Sequence, residues 1–394
     1  MSVSRRRFVH AVSAGVGAGS LGALFAPTAT ARGLEARREA LTAAPTLGRP
    51  ADERAAPDAL VRLDSNENPY GPGRAALDAM AAALAASNRY ADDAGVELRA
   101  AIARAHGATP AHVWVGCGST DVLCAAVRAW TGPARPLVTA APSFEVPATE
   151  AARLGAPVRS VPVRGDLRLD LAAMAAATGS DAGLVYLCNP NNPTATVHGR
   201  AAVADFVARV RRAAPNATVL IDEAYHEYVD DPAYATAVPD ALADPRVVVA
   251  RTFSKVHGLA GMRIGYVVGH PDTVRAIGAH MLMLGVNGTG ASAALASLGA
   301  APHVEHQRAL NREAREFTRR FFADAGYAPS ASETNFVMVD VRRDVRAFRE
   351  ACRQRGIAVG RPFPPLGTHA RVTIGSLDEM RQATEVFRTV LRSA

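Results

Sequence analysis

Lysine is almost absent from this chain of 394 residues. Of the 44 basic residues, only Lys255 is a lysine, and all the others are arginines. Arginine can replace lysine wherever only a positive charge is needed, but its guanidinium stays protonated in proteins and cannot act as an amine nucleophile. The survival of one lysine therefore indicates either chance or a position whose chemistry requires an amine.

The chain also lacks a cysteine framework and a dense basic tract. Its formal net charge is +7, but residues 1–31 hold three arginines and no acidic residue, so the remainder has 41 basic and 37 acidic residues, or +4. This small excess shows no dense basic run with interleaved aromatics, which argues against nucleic-acid binding. Neither C-x-x-C nor zinc-ligand spacing occurs, so we expect no disulfide framework and no metal site. The four cysteines are Cys117, Cys124, Cys188 and Cys352.

Residues 1–31 have the three-part pattern of an export signal. Arg5, Arg6 and Arg7 precede a weakly apolar Ala/Gly/Val stretch, and a small-residue A-T-A site ends at Ala31. The segment SRRRF resembles a twin-arginine signal, for which the alternatives are a disordered basic tail or a membrane anchor. The apolar stretch is short and glycine-rich, which argues against a spanning helix. We expect export to the periplasm or the medium by the twin-arginine machinery.

Short apolar runs alternate with alanine-rich helical stretches through the middle of the chain. The pattern predicts βαβ units, and hence a mostly parallel sheet with helices on both faces. Residues 32–60 are rich in Ala, Arg and Pro and favour a linker or arm, while the last hundred or so residues suit a smaller α+β domain. The apolar runs are HVWVG, PLVTA, PVRSVPV, GLVYLC, TVLID, RVVVA and RIGYVVG.

Polar residues follow several of these runs, in the segments GCGSTD, NPNNPTA, IDEAY and RTFSK. Each segment alone is compatible with an ordinary turn or helix cap. However, Asp222 ends a fully apolar strand, where a carboxylate without a partner is costly. The intervals of 30 positions from Asn192 to Asp222 and 33 from Asp222 to Lys255 each match about one βα unit. We therefore expect these residues to meet at the carboxyl edge of the sheet.

From about residue 60 onward, the chain resembles fold-type I pyridoxal-phosphate enzymes of the class I/II aminotransferases, nearest their histidinol-phosphate aminotransferase branch. The resemblance implies an aspartate aminotransferase-like α/β fold with a mostly parallel seven-stranded sheet in a large cofactor-binding domain, residues 90–285. Residues 61–89 and 286–394 would form the smaller domain. The segments that carry the resemblance are DSNENPYGP, NRYADDAGVELRAAIA, GCGSTD, APSFE, NPNNPTA, IDEAY, RTFSKVHGLAGMRIGY, TNF and RVTIGS.

The resemblance also implies a catalytic centre around Lys255. Lys255 would hold pyridoxal 5'-phosphate as a Schiff base and then move the proton of the substrate's α carbon. Asp222 would pair with the pyridine nitrogen and keep it protonated. Asn192 and Tyr225 would donate hydrogen bonds to the phenolic oxygen of the ring, and Phe144 would stack on its face.

Another group of residues would bind the cofactor's phosphate through hydroxyls, backbone N–H groups and a guanidinium. Tyr90 would reach the same phosphate from the neighbouring subunit, which implies an obligate homodimer. The residues within the subunit are Ser119, Thr120, Thr252, Ser254 and Arg263.

On the substrate side, Arg371 would bind a carboxylate or other anion, and Tyr70 would close over it. The histidinol-phosphate branch usually has arginine in the pattern G-I-x-V-R, whereas here Gly360 intervenes and Arg361 follows it, ahead of a Pro-rich turn. This displacement and the export signal favour a carboxylate amino acid over histidinol phosphate as substrate.

The leading hypothesis is an exported aminotransferase that converts an amino acid, or a histidinol-phosphate-like amine, and uses a 2-oxo acid as acceptor. The alternative is a decarboxylase, lyase or oxidase on the same scaffold, because the same electron sink serves all of these reactions. A pyridoxal-phosphate-sensing regulator is disfavoured, since residues 1–60 leave no room for a helix-turn-helix beside the signal.

Overall fold

The computed structural model describes residues 60–392, without the side chains of Asp92 and Asp93. The predicted export signal and almost all of the predicted arm lie outside these residues. The strands are β1 Val61–Leu63, β2 Val113–Cys117, β3 Leu137–Ala141, β4 Val158–Pro162, β5 Leu184–Cys188, β6 Thr218–Asp222, β7 Val247–Thr252, β8 Ile264–Gly269, β9 Phe336–Asp340, β10 Ile357–Val359 and β11 His369–Thr373. The α-helices are α1 Arg74–Ala83, α2 Asp92–Ala105, α3 Gly118–Trp130, α4 Val146–Arg153, α5 Leu171–Ala177, α6 Arg200–Ala213, α7 Val238–Ala243, α8 Pro271–Gly278, α9 Gly288–Leu298, α10 Ala301–Asp324, α11 Val345–Arg353 and α12 Leu377–Arg392.

Seven strands form one sheet in the order β2-β8-β7-β6-β5-β3-β4. Strand β8 runs antiparallel to both of its neighbours, and the other neighbouring pairs are parallel. Each of the seven predicted apolar runs forms one of these strands. Strands β5 to β8 are buried along their whole length, as expected where helices cover both faces of a sheet. The predicted mostly parallel, seven-stranded α/β fold is confirmed.

Successive side chains of the central strands enter two different cores. In β5, Val185 and Leu187 belong to one apolar cluster, while Leu184 and Tyr186 belong to the other. This alternation follows from the two-residue period of a strand, which sends neighbouring side chains to opposite faces. The apolar side chains of the strands are thus buried on the two faces of the sheet, and the polar residues that follow the strands lie at its carboxyl edge.

Two smaller sheets use strands from both ends of the described chain. Strand β1 pairs in parallel with β10, so that Val61 lies opposite Ile357, and β11 pairs antiparallel with β9. Helices α10 and α12 contribute Phe322 and Phe387 to the core beside these sheets, and the two rings stack at 5.7 Å between centroids. The segment after residue 60 therefore shares a core with the C-terminal segment.

The four cysteines are all unpaired: Cys188 and Cys352 are buried, and Cys117 and Cys124 are half-buried. Within residues 60–392, no helix combines the length and the apolar character needed to cross a bilayer. The same residues contain no group of three or more His, Cys, Asp or Glu side chains that could hold a metal ion.

Candidate active site

The polar segments after the strands meet at the carboxyl edge of the central sheet. Asp222 is the last residue of β6 and Thr252 the last residue of β7, its neighbour in the sheet. Asn192 follows β5 on the other side of β6, and Lys255 lies in the turn after β7. The order of strands thus brings together residues that are about one βα unit apart in the chain.

Lys255 is half-buried and points toward the segment that follows β1. Its Nζ donates a hydrogen bond of 3.1 Å to the backbone oxygen of Asn66 and lies 5.3 Å from the centroid of the Tyr225 ring. Burial, together with the nearby Arg371, lowers the pKa of this amine to about 8, against the opposing effect of Glu67. A larger neutral fraction near pH 7 makes the amine a better nucleophile.

Asp222 is buried, with 2% of its surface exposed. Its Oδ2 accepts a hydrogen bond of 2.8 Å from the Tyr186 hydroxyl, and its Oδ1 accepts one of 3.1 Å from the backbone N–H of Ala224. Burial raises the pKa of the carboxyl to about 6, although these donors and Lys255 act to lower it. Both donors are neutral, so a cation such as a protonated pyridine nitrogen would stabilise the ionised carboxylate.

The start of α3 is packed tightly against Arg263. A Cβ added to Gly118 would lie 2.3 Å from Arg263 Nη2, and one added to Gly265 would lie 2.2 Å from the backbone nitrogen of Ser119. The absence of side chains at both glycines therefore lets the guanidinium and the helix start approach each other. Arg263 Nη1 also lies 3.4 Å from the Ser254 hydroxyl.

Hydroxyl groups complete a site for an anion beside Arg263. Thr252 Oγ1 lies 2.9 Å from Ser254 Oγ, and Thr120 belongs to the first turn of α3. The first turn of an α-helix has free N–H groups and a partial positive charge. One guanidinium, two hydroxyls and a helix start suit a phosphate group. Phe144 is half-buried and packs against the apolar core that includes residues of α3.

Arg371 is the buried cation on the substrate side, with 8% of its surface exposed. Its Nη1 donates to Asn192 Oδ1 at 2.8 Å, and its Nη2 donates to the backbone oxygen of Asp64 at 2.7 Å. Its Nε is buried and has no hydrogen-bond partner among the described residues. Burial lowers the pKa of the guanidinium to about 10, so it stays cationic at neutral pH. A charged donor without an acceptor suits an anionic ligand.

Arg361 lies at the surface and already has a partner. Its guanidinium forms an ion pair with Glu145, and its side chain is 48% exposed. The Phe363 ring lies between the two arginines, 4.3 Å from Arg361 Cζ and 4.7 Å from Arg371 Cζ. The structure therefore brings Arg361 close to the substrate side, but with its charge compensated by a carboxylate.

The two predicted tyrosines of the periphery are exposed. Tyr90 is 79% exposed and Tyr70 is 40% exposed. Partial burial raises the pKa of Tyr70 above its ordinary value, although a hydrogen bond with the backbone of Leu377 opposes this effect. The single chain leaves Tyr90 largely exposed and covers Tyr70 only in part, in contrast to Tyr225, which is buried.

Sequence reasoning missed two residues that contact this centre, Tyr186 and Asn66. Tyr186 stands in the apolar run GLVYLC, where a buried hydroxyl needs a hydrogen-bond partner. Asn66 lies in DSNENPYGP and has φ +53°, a left-handed conformation that asparagine tolerates better than most residues. The richness of this segment in asparagine was the available signal for Asn66.

Comparison with known proteins agrees with this geometry. Residues 58–387 match the family model "Aminotransferase class I and II". The aromatic amino acid aminotransferase of Thermobifida fusca is 38% identical over 357 residues, which is 90% of this chain and 96% of that protein. The histidinol-phosphate aminotransferase of Symbiobacterium thermophilum is 36% identical over 334 residues, which is 84% of this chain and 91% of that protein.

Solved structures show the same fold. The histidinol-phosphate aminotransferase of Sinorhizobium meliloti, in complex with pyridoxal-5'-phosphate, superposes with a TM-score of 0.78 at 31% identity, over 84% of this chain and 91% of that chain. The aspartate aminotransferase of Thermus thermophilus superposes with a TM-score of 0.74 at 22% identity, over 91% of this chain and 94% of that chain. The predicted enzyme class and cofactor are confirmed. This chain belongs to the class I and II aminotransferases and is a pyridoxal-phosphate-dependent aminotransferase.

Proposed function

We propose that this enzyme transaminates free amino acids whose α-carboxylate binds Arg371, in preference to histidinol phosphate. The observation that carries the proposal is the contrast between the two arginines of the substrate side. Arg371 is buried and its Nε lacks an acceptor, whereas Arg361 is paired with Glu145. The single charge of a carboxylate is balanced by Arg371 alone. A phosphate dianion needs a second positive charge, and the carboxylate of Glu145 nearby would repel it.

When bound, pyridoxal phosphate supplies the electron sink for the charge that develops on the substrate's α carbon. We propose that Lys255 provides the amine that attaches the cofactor and then carries the proton of the α carbon. The carboxylate of Asp222 holds the ring nitrogen, while Asn192 and Tyr225 donate to the ring oxygen and Phe144 covers the ring face. The Asn192 oxygen already accepts from Arg371, which leaves the amide nitrogen of Asn192 as the donor.

The phosphate of the cofactor binds where α3 begins, because cationic and neutral donors converge there. The proposed residues are Ser119, Thr120, Thr252, Ser254 and Arg263.

Aromatic amino acids are the first substrates to test. Arg371 Cζ lies 5.6 Å from the ring of Phe336 and 4.7 Å from that of Phe363, and Tyr225 meets Phe336 edge to face at 5.1 Å. These buried rings make the surroundings of Arg371 apolar, which favours an apolar or aromatic substrate side chain. The name of the Thermobifida fusca relative points to the same class of substrate.

The substrate proposal predicts different outcomes for the two arginines. Arg371→Ala should lower kcat/KM for every amino acid by about ten- to a hundredfold, because one charge-assisted hydrogen bond contributes about 1.5–3 kcal/mol. Arg361→Ala should change these values by less than about fivefold, since a surface ion pair contributes about 1 kcal/mol or less. The measurement is kcat/KM for histidinol phosphate and for a panel of free amino acids, with Arg381→Ala, an exposed arginine, as the control for loss of charge.

Glu145→Gln sharpens this comparison. Without the carboxylate, Arg361 is free to bind a second anion, so kcat/KM for histidinol phosphate should rise while the values for free amino acids stay close to those of the parent. A parent enzyme that prefers histidinol phosphate, and loses this preference in Arg361→Ala, would refute the proposed substrate class.

We also propose a homodimer whose cofactor sites each receive Tyr90 from the partner subunit. The support is a set of large apolar side chains, Tyr90 among them, that the single chain leaves exposed. Leu282, Met283 and Leu284 are 65%, 92% and 57% exposed, and a Cβ added to Gly288 would lie 3.2 Å from the Cβ of Ala91. Exposed large apolar side chains of this kind are typical of a protein–protein interface.

We further propose that the chain is exported folded by the twin-arginine route. The support is the sequence pattern of residues 1–31. Changing Arg5, Arg6 and Arg7 together to lysine keeps the charge, so the variant should fold and bind cofactor but remain in the cytoplasm. Cell fractionation with an activity assay measures this, and a variant of the second arginine pair, Arg37→Lys with Arg38→Lys, is the matched control. Export of the triple variant at the level of the parent would contradict the proposal.

A further inference from the structure

Asn66 connects three parts of the active site through its backbone. It is 1% exposed and has a left-handed φ of +53°. Its N–H donates to Thr373 Oγ1 at 2.9 Å. Its carbonyl oxygen accepts from Lys255 Nζ at 3.1 Å and from Asn335 Nδ2 at 3.0 Å. The backbone of one buried residue therefore holds the lysine amine and is itself held by Asn335, just before β9, and by Thr373, at the end of β11.

The side chain of Asn66 has a defined orientation. The Thr373 hydroxyl accepts from the backbone N–H of Asn66, and it donates to Asn66 Oδ1 at 3.0 Å. With the amide oxygen used in this way, the amide nitrogen faces Tyr225 and donates to its hydroxyl oxygen at 3.1 Å. Because the Tyr225 oxygen receives a hydrogen bond, its own proton is left to be donated elsewhere.

We propose that Asn66 is a positioning residue for both groups that act on the cofactor. Its carbonyl oxygen holds the amine of Lys255 when that amine is free, and its side-chain amide holds the Tyr225 hydroxyl as a donor toward the cofactor's ring oxygen. The inference uses the pyridoxal-phosphate chemistry of the family and does not depend on which substrate the enzyme takes.

The left-handed backbone of Asn66 suggests the variant that isolates the side chain. Asn66→Gly keeps both the backbone conformation, which glycine adopts without strain, and the carbonyl oxygen that faces Lys255. It removes the side-chain amide, and with it the hydrogen bond to Tyr225 and the one accepted from the Thr373 hydroxyl. We expect kcat/KM to fall about five- to tenfold, the effect of one buried hydrogen bond.

A second readout does not require turnover. The visible absorbance of the bound cofactor titrates with pH, and donors to its anionic ring oxygen favour the deprotonated form. Tyr225 without Asn66 is a less well-oriented donor, so the midpoint of this titration should rise in Asn66→Gly. Ser65→Gly is the matched control, because it adds a glycine at the exposed neighbouring position outside this network.

A double-mutant cycle with Tyr225→Phe tests whether Asn66 acts through Tyr225. If it does, Asn66→Gly should change kcat/KM by less than about twofold once the Tyr225 hydroxyl is gone, and it should leave the pH midpoint almost unchanged. The reason is that the effects of coupled residues are not additive. Multiplicative effects in the double variant would overturn the proposal, as would an Asn66→Gly enzyme indistinguishable from Ser65→Gly.

Asn66→Asp provides an independent check should the glycine variant fold poorly. Aspartate also tolerates the left-handed conformation and retains an acceptor for Thr373, but it offers Tyr225 a carboxylate oxygen instead of an N–H. The Tyr225 hydroxyl would then donate to residue 66, and the titration midpoint should rise further than in Asn66→Gly. An unchanged midpoint in this variant would likewise refute the positioning role. Because the titration uses no substrate, its outcome is separate from that of the substrate proposal.

Discussion

Replacing Lys255 with arginine or alanine should abolish both the visible absorbance of bound cofactor and all turnover. Neither side chain carries an amine that can attach the cofactor covalently. The chain contains no second lysine, so no other side chain can take over. The effect is measured by spectra recorded after dialysis has removed free cofactor, together with an amino-donor assay.

The single lysine allows an unusually direct control for this experiment. Borohydride reduction of the parent should fix one cofactor to a peptide that contains residue 255, as determined by mass spectrometry. The Lys255→Arg protein treated in the same way should carry none, while its unfolding temperature shows that it is folded. A dialysed Lys255→Arg enzyme that keeps its absorbance and its turnover would contradict the assignment.

Asp222→Asn should produce the second large loss of activity. The substitution keeps the shape of the side chain but removes the charge that stabilises a protonated ring nitrogen. Breaking a buried ion pair costs about 3–5 kcal/mol, which corresponds to roughly 10²- to 10⁴-fold in kcat/KM. Asp205→Asn, an exposed aspartate paired with Arg209 on α6, is the control. A loss smaller than about tenfold would argue against contact between Asp222 and the ring nitrogen.

In the protein without cofactor, the same substitution should be favourable for stability as the pH rises. Burial raises the pKa of Asp222 from 3.8 to about 6, so the folded chain binds this proton more tightly than the unfolded chain. The free energy of unfolding therefore falls as the pH rises from about 4 to 6, and Asp222→Asn lacks this contribution. When thermal unfolding of both apoproteins is measured across this range, the unfolding temperature of the variant should rise relative to that of the parent as the pH increases. A constant difference between the two would refute this effect of burial.

Much of the fold was predictable because its strands are buried on both faces. Such strands have continuous apolar sequences, as in Leu184–Cys188 and Thr218–Asp222, and they end where polar residues begin. The parallel connections then set the spacing of about one βα unit between Asn192, Asp222 and Lys255. The sequence alone therefore predicts that the central residues of the site lie at one edge of the sheet.

The remaining features depend on contacts between distant parts of the chain. Strand β1 has only three residues and owes its conformation to β10, so its local sequence carries no distinct strand signal. The ion pair between Arg361 and Glu145 joins positions that are 216 residues apart. The sequence showed that Arg361 is displaced, but not which carboxylate compensates its charge. Asn66 was missed for the same reason, since its conformation is held by Thr373.

The pairing of Asn66 with Thr373, across 307 positions, also determines when the site is completed during synthesis of the chain. The ribosome makes every strand of the central sheet, and Lys255 with it, well before Thr373 and Arg371 emerge. Domains generally fold as units as soon as their residues are available. The sheet can therefore form on the ribosome while the lysine amine still lacks the peptide group and the arginine that will enclose it. The enclosed site is a product of the finished chain, and capture of the cofactor in its final geometry follows translation.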